Sequence, residues 1–217
     1  MNFTTFWTKL KALEEAISIS LTITGESVGT GNGTNKIFTL DHKSLVASSE
    51  TIYSDSVTVD PADYTIDYTL GTVTFDAAPA AGKVITADYT YLTQTVIRAF
   101  WGGPPEAIKD LPCVINALSE PGRVLEFGSR DQVMRVSVQL LAAKARVEDT
   151  RSAEIATAFW FAAKDAFDGD YNLTGTVSFM TLRGADPTVP VILQHGGQAY
   201  IGFNAYLDIQ VNEAFAF

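Results

Sequence analysis

The run Gln132-Val133-Met134-Arg135-Val136-Ser137-Val138-Gln139-Leu140-Leu141-Ala142 decides how the second half of the chain folds. Met134, Val136, Val138 and Leu140 fall on one parity, and Arg135, Ser137 and Gln139 fall on the other. Successive side chains of a strand point to opposite faces, so this is a long strand with one buried and one polar face. From Asp149 or Thr150 the period changes to that of a helix, reaching about Phe167, with Ile155, Phe159, Ala162 and Ala166 as its apolar stripe. Asp168-Gly169-Asp170 closes it. Strands are then expected at Thr174 to Leu182, Val189 to Gln194 and Ala199 to Val211, with Gly196-Gly197 turning the last pair into a hairpin.

Upstream of the long strand lie a short strand, Val96 to Trp101, and a turn at Gly102-Gly103-Pro104-Pro105. One helical turn is expected from Pro105 to Lys109, followed by a strand from Pro112 to Leu118. At the start of the chain Phe3, Phe6, Leu10, Leu13 and Ile17 recur at steps of three and four, the stripe of a helix. Thr4 or Thr5 is its expected cap. Lys9, Lys11, Glu14 and Glu15 are expected on its solvent side, and Trp7 beside the stripe.

Between these parts the pattern is strand and turn alone. The segment Gly25 to Asn35, with Gly25, Gly29, Gly31 and Gly33, reads as linker and turn. A phosphate loop would need a following helix, and a P-loop also a Gly-Lys-Ser/Thr ending; here the strand Lys36 to Leu40 follows. Tyr64 to Tyr68, Gly71 to Phe75 and Val84 to Tyr91 alternate and are rich in β-branched and aromatic residues. Thr69-Leu70-Gly71 joins the first two as a hairpin. Residues 26–95 therefore read as an inserted all-β, sandwich-like domain, carrying 9 acidic and 3 basic residues. Residues 1–25 and 96–217 read as one α+β core, an antiparallel sheet packed by two helices.

The 217 residues are 47% hydrophobic and 18% charged, with a formal net charge of -10, a balance that favours a folded core. Such a surface does not grip DNA phosphates, which require clustered Lys and Arg, although it suits a passage through which DNA slides. Cys113 is the single cysteine, so no intrachain disulfide forms, as expected of folding in a reducing cytoplasm. No secretory leader and no membrane-spanning stretch is read.

Signals for chemistry are weak. His42 and His195 sit in expected turns without partners at metal-ligand spacing. No Gly-x-Ser-x-Gly elbow occurs, and Asp168-Gly169-Asp170 lacks the spacing of a calcium loop. No catalytic residue, cofactor or metal is assigned, and the chain reads as non-enzymatic. An assembly surface is the better expectation. Phe159-Trp160-Phe161 are consecutive on a helix, so Trp160 and Phe161 cannot both share the face of Phe159, and at least one should meet another surface. The apolar Ala214-Phe215-Ala216-Phe217 calls for burial by a partner as well. Lys144, Arg146, Glu148, Asp149 and Arg151 form a mixed-charge cluster suited to ion pairing across a contact. The candidate interface is therefore Lys144, Arg146, Glu148, Asp149, Arg151, Trp160, Phe161, Phe215 and Phe217.

Several runs resemble the tail terminator proteins of long-tailed phages. They are Leu173-Thr174-Gly175-Thr176-Val177, Val191-Ile192-Leu193 and Ala199-Tyr200-Ile201-Gly202, together with the preceding helix and Leu111-Pro112-Cys113-Val114. The insert is similar to a small β-module of phage and prophage structural proteins. It does so through Gly31-Asn32-Gly33-Thr34-Asn35 with Lys36 to Leu40, Tyr64 to Tyr68, Gly71 to Phe75, Ala78 to Gly82 and Thr86 to Tyr91. The usual terminators lack such an insert. The resemblance implies a six-membered ring at the head–tail junction of the virion, assembled in the host cytoplasm. That ring would cap the tail tube protein, end tube polymerisation and dock to the head-side connector or stopper, with a sheath as a further partner. DNA would cross its lumen without specific binding. Two other readings compete: another neck or tail protein (head–tail joining or tube protein), and a β-rich carbohydrate-binding or adhesion module resting on Tyr64, Tyr68, Tyr89 and Tyr91.

Overall fold

A computed structural model describes residues 3–93, 97–102, 108–118, 125–127, 131–145, 150–184 and 189–211. In chain order the elements begin with α1 (Phe3–Glu15), β1 (Ser20–Thr30), β2 (Ile37–Thr39), β3 (Thr51–Ser54) and β4 (Val57–Thr58). A single 3-10 turn (Pro61–Asp63) leads to β5 (Tyr64–Asp67), β6 (Thr72–Phe75) and β7 (Val84–Leu92). Next come β8 (Arg98–Trp101), β9 (Cys113–Leu118), β10 (Leu125–Phe127) and β11 (Asp131–Lys144). The chain continues through α2 (Thr150–Gly169), β12 (Phe179–Arg183), β13 (Val191–His195) and β14 (Gln198–Val211).

The α+β class expected above is corrected. Among the described residues strands account for 47% and helix for 20%, in two helices against three sheets, so the chain is predominantly β. Two further departures share a cause, which is pairing between segments distant in sequence. The stretch 20–30, whose residues from Gly25 onward read as linker and turn, is an 11-residue strand because β7 offers it an antiparallel ladder. The largest sheet is mixed and not purely antiparallel, because β8 runs parallel to β9.

The chain divides into a larger unit, Met1–Ile19 with Thr95–Phe217, and a smaller unit, Ser20–Gln94. Residues 20–25, grouped with the core above, thus belong to the smaller unit. In the larger unit one seven-stranded sheet has the order β12-β14-β11-β9-β8, with β10 on β11 and β13 on β14. Its spine is the antiparallel pair of 14-residue strands β11 and β14. Val136, Val138 and Leu140 of β11 are buried with Phe203, Ala205, Leu207 and Ile209 of β14. Phe6 and Leu10 of α1 and Ala156, Phe159, Trp160, Ala163 and Phe167 of α2 complete that core.

The stripe of α2 is therefore rotated from the expected one. Ile155, Ala162 and Ala166 are only partly buried, while Trp160 packs on Phe203 with ring centroids 5.4 Å apart. The expected strand from Thr174 begins only at Phe179. Before it, Asp170 accepts the Thr174 N–H and Asn172 accepts the Gly175 N–H, and Leu173, Thr174 and Gly175 all take positive φ. Such side-chain capture of the backbone competes with strand pairing. On α1, Glu14 was expected in solvent but is fully buried, in line with Phe6 and Leu10. The expected helical turn at 105–109 lies largely outside the described residues.

The smaller unit has two sheets, β1-β7-β3-β4 and β2-β6-β5. They share one core of Phe38, Leu40, Ile52, Tyr64, Val73, Phe75, Ile85, Ala87, Tyr89 and Tyr91. β1 accommodates Gly25 and Gly29 by register shifts at Ile23/Glu26 and Ser27/Gly29, the usual signature of bulges. The β5–β6 turn is set by Asp67, whose carboxylate accepts the N–H groups of Thr69 and Leu70. Its Gly71 has φ +67, and a Cβ there would lie 2.1 Å from the His42 carbonyl oxygen.

Ser20 pairs with Leu92, so the smaller unit's first and last strands lie side by side. Ile17, Ile19 and Ile97 share one core cluster, so the chain also leaves and re-enters the larger unit at one place. Adjacent entry and exit are what domain insertion requires. Replacing residues 20–94 by a short Gly-Ser linker should leave the larger unit folded, and residues 20–94 alone should give dispersed amide NMR signals. Collapse of both spectra would show that neither unit folds independently.

Candidate assembly surface

The surface starts from the parity of β11. With Val136, Val138 and Leu140 in the core, Arg135, Ser137 and Gln139 must lie on the opposite face. The register sets Arg135 against Asp208, Ser137 against Tyr206 and Gln139 against Asn204. β12 adds Phe179, Thr181 and Arg183, opposite Gln210, Asp208 and Tyr206.

Arg135 Nε and Nη2 donate to the two Asp208 oxygens at 2.6 and 3.0 Å, a bidentate pair. The guanidinium carbon lies 5.5 Å from the Tyr206 ring centroid, within cation–π range. Arg183 Nε approaches the same carboxylate at 3.7 Å, and Gln139 donates to Asn204 at 3.0 Å. Hydrogen bonding to Asp208 raises the pKa of Arg135 further, so it stays charged. One carboxylate thus serves two guanidiniums on a chain whose net charge is -10. Both arginines are exposed and Asp208 is half-buried at the surface, so each pair contributes at most about 1 kcal/mol to stability. At the other end of this face Ile108, Cys113, Ile115, Leu141, Leu193 and Tyr200 form a small apolar cluster. Burial, with a smaller effect of Asp110, pushes the Cys113 thiol up to about 12, so it is a packing residue and no nucleophile at neutral pH.

Apolar side chains are exposed on several elements. Phe161 of α2 is 51% exposed and Ile192 of β13 is 65% exposed. Tyr171 and Phe179, both exposed, pair with centroids 6.0 Å apart. Val189 and Val191, just before Ile192, are also exposed. β13 carries no Lys, Arg, Asp or Glu, and among the described residues it pairs only with β14. Such an edge lacks the charges that usually discourage pairing with another chain.

The residues expected at the interface divide. Trp160 is a core residue and Phe161 is the exposed member of the pair. Lys144 is exposed at the end of β11, opposite Tyr200, and Arg151 is exposed in the first turn of α2. Arg146, Glu148, Asp149, Phe215 and Phe217 lie outside the described residues. The sequence reading gave no interface role to Asp208, Tyr206, Arg183, Phe179, Tyr171 or Ile192. The alternation of β12 and β14 carried a signal for the sheet face, but pairing Arg135 with Asp208 needs the register of strands 73 residues apart.

His42 lies in the smaller unit, stacked on Tyr91 with centroids 3.9 Å apart and 2.7 Å from the Tyr89 hydroxyl through Nδ1. The Tyr89 hydroxyl donates to Glu26, so the imidazole Nδ1–H is the donor to Tyr89. Burial first, then Glu26, raises the Tyr89 pKa. His195 closes strand β13 and is not in the turn itself. Among the described residues no group of three or more His, Cys, Asp and Glu side chains could hold a metal ion, and no helix is long and apolar enough to cross a membrane.

No protein-family model and no curated protein matches the chain.

Proposed function

We propose that this chain is a structural, non-enzymatic virion protein of the tail-terminator kind. As an oligomeric ring it caps the tail tube at the head–tail junction, ends tube polymerisation and docks to the head-side connector. The observation that carries this reading is the exposure of apolar side chains on two different elements, Phe161 on α2 and Ile192 on the uncharged edge strand β13. A ring closes through a heterologous interface, in which one surface meets a different surface of the next copy. The terminator resemblance of the β13–β14 and 173–177 runs adds the location, and the net charge of -10 fits a lumen that DNA crosses without binding. A sugar-binding reading finds less support, because Tyr64, Tyr89 and Tyr91 are core residues of the smaller unit and offer no exposed platform.

The test is a variant carrying Phe161→Glu and Ile192→Asp. Both side chains are exposed, so its melting temperature should stay close to that of the parent. Ring formation on purified tail tubes should fall at least tenfold, read by electron microscopy. Unchanged capping by a folded variant would count against this interface. Tails of normal length and with heads attached, formed in the absence of the chain, would count against the function.

A further inference from the structure

We propose that α1 is seated by a protonation-dependent latch, in which Glu14 is held as the neutral acid by the Asn116 side-chain amide and α1 is released when Glu14 ionises. Glu14 continues the apolar stripe of α1, four residues after Leu10 and eight after Phe6, and all three are fully buried. Asn116 of β9 is also fully buried. Its parity matches Val114, a member of the main core, and opposes Cys113 and Ile115 on the other side of the sheet.

Asn116 Nδ2 lies 3.1 and 2.9 Å from the two Glu14 oxygens. Asn116 Oδ1 is buried and has no hydrogen-bond partner among the described residues. A carboxylate in that place would be a buried charge balanced only by a neutral amide, and the amide oxygen would be orphaned. One proton removes the buried charge, and turning the amide gives that proton an acceptor. Oxygen and nitrogen of an amide are interchangeable by a half-turn about the last side-chain bond. Turned that way, Oδ1 takes the place 3.1 and 2.9 Å from the two Glu14 oxygens and accepts the Glu14 O–H.

Among the described residues no cation offsets this preference. On α1, Lys11 is 3.9 Å from Glu15, and Glu15 itself accepts the Ala99 N–H at the β8 edge. Arg98 of β8 is exposed, one position out of phase with the buried Ala99. β9 has no charged residue. On α2, Arg151, Glu154, Asp165 and Asp168 are exposed, and Lys164 is paired with Asp168. Burial is the main reason that Glu14 is raised from 4.5 to about 8, with the Asn116 hydrogen bond opposing it and Glu15 adding to it.

The sign follows. A carboxyl whose folded pKa exceeds its unfolded value binds its proton more tightly in the folded state. Its docking is strongest below about 4.5, weakens as pH rises, and has lost the whole contribution above about 8. The full loss is about a thousandfold in the docking equilibrium.

Two readouts test the latch in the full-length protein. The side-chain carboxyl carbon of Glu14, followed by NMR, should titrate near 8. Emission from Trp7, whose ring lies 4.9 Å from that of Trp101, should change with the same midpoint as α1 leaves, measured in a Trp160→Phe background. Glu14→Gln, neutral at every pH, should hold α1 docked and flatten the emission profile from about pH 6 to about pH 10. Titration of Glu14 near 4.5 would overturn the proposal. So would α1 staying docked while Glu14 ionises, or an identical emission profile in Glu14→Gln. If that variant fails to fold, the carbon and emission titrations of the parent still decide.

Discussion

Gly202→Val is expected to destabilise the larger unit by about 3 kcal/mol or more, read as a lower urea midpoint for that unit. Gly202 sits inside β14 at the point where β11 passes through a register shift between Leu141 and Ala143. A Cβ at this position would lie 1.9 Å from the Leu140 carbonyl oxygen and 3.1 Å from the Leu141 Cα. Both obstacles are backbone, so no rotamer change relieves the clash, and the two strands that form the spine must separate. Overpacking a tight interior commonly costs about 1–3 kcal/mol, and a backbone collision in the central pair belongs at or above the upper end. Most domains hold only about 5–15 kcal/mol in reserve. Gly169→Ala is the control: a Cβ there meets nothing within 4 Å and the residue has no positive φ, so stability should be unchanged or rise by about 0.5 kcal/mol. A Gly202→Val protein that melts like the parent would mean that the β11–β14 register is wrong.

Phe159→Ala should destabilise the larger unit by about 3–5 kcal/mol, the range for emptying a buried aromatic site. Phe159 is fully buried, and it joins α2 to the sheet through a cluster that includes Trp160 and Phe203. Two residues on, Phe161→Ala should change stability by no more than about 0.5 kcal/mol, because its ring already meets solvent. Urea titrations of the two variants, with unchanged slopes, give both numbers. Equal losses would place Phe161 in the core and remove it from the assembly surface.

These two phenylalanines also mark how far the sequence could be read. The spine strand was legible, because the alternation of Met134, Val136, Val138 and Leu140 with Arg135, Ser137 and Gln139 has a period that only a strand satisfies. The existence of α2 was legible too, but its phase was not. The helix carries alanine at 153, 156, 158, 162, 163 and 166, and alanine is tolerated on either face, so the apolar pattern barely distinguishes two neighbouring stripes. The contact of Trp160 with Phe203, 43 positions away, decides between them. β1 was hidden by Gly25 and Gly29, which read as turn residues until β7 supplies a partner that tolerates bulges. The turn before β12 was hidden because Asp170 and Asn172 act on the backbone through specific hydrogen bonds that no periodicity reveals. Glu14 was misplaced for a general reason: a carboxylate signals solvent, and only its proximity to Asn116 makes burial tolerable. The α+β class failed on proportion, since it gave two helices the weight of a full layer where the described residues are 47% strand and 20% helix. The candidate surface was half legible. Phe161 follows from the crowding of three aromatics on one helix, whereas the Arg135–Asp208–Arg183 group exists only once three strands are in register.

The central functional claim is a single ring at one place in a particle, and a density map of the virion tests it most directly. The account predicts one closed ring of this chain, six subunits by resemblance, between the last layer of the tail tube and the head-side connector. Phe161 and the β13 edge should be buried between neighbouring subunits. Rings of this chain repeated along the tail, or isolated copies elsewhere on the particle, would contradict it.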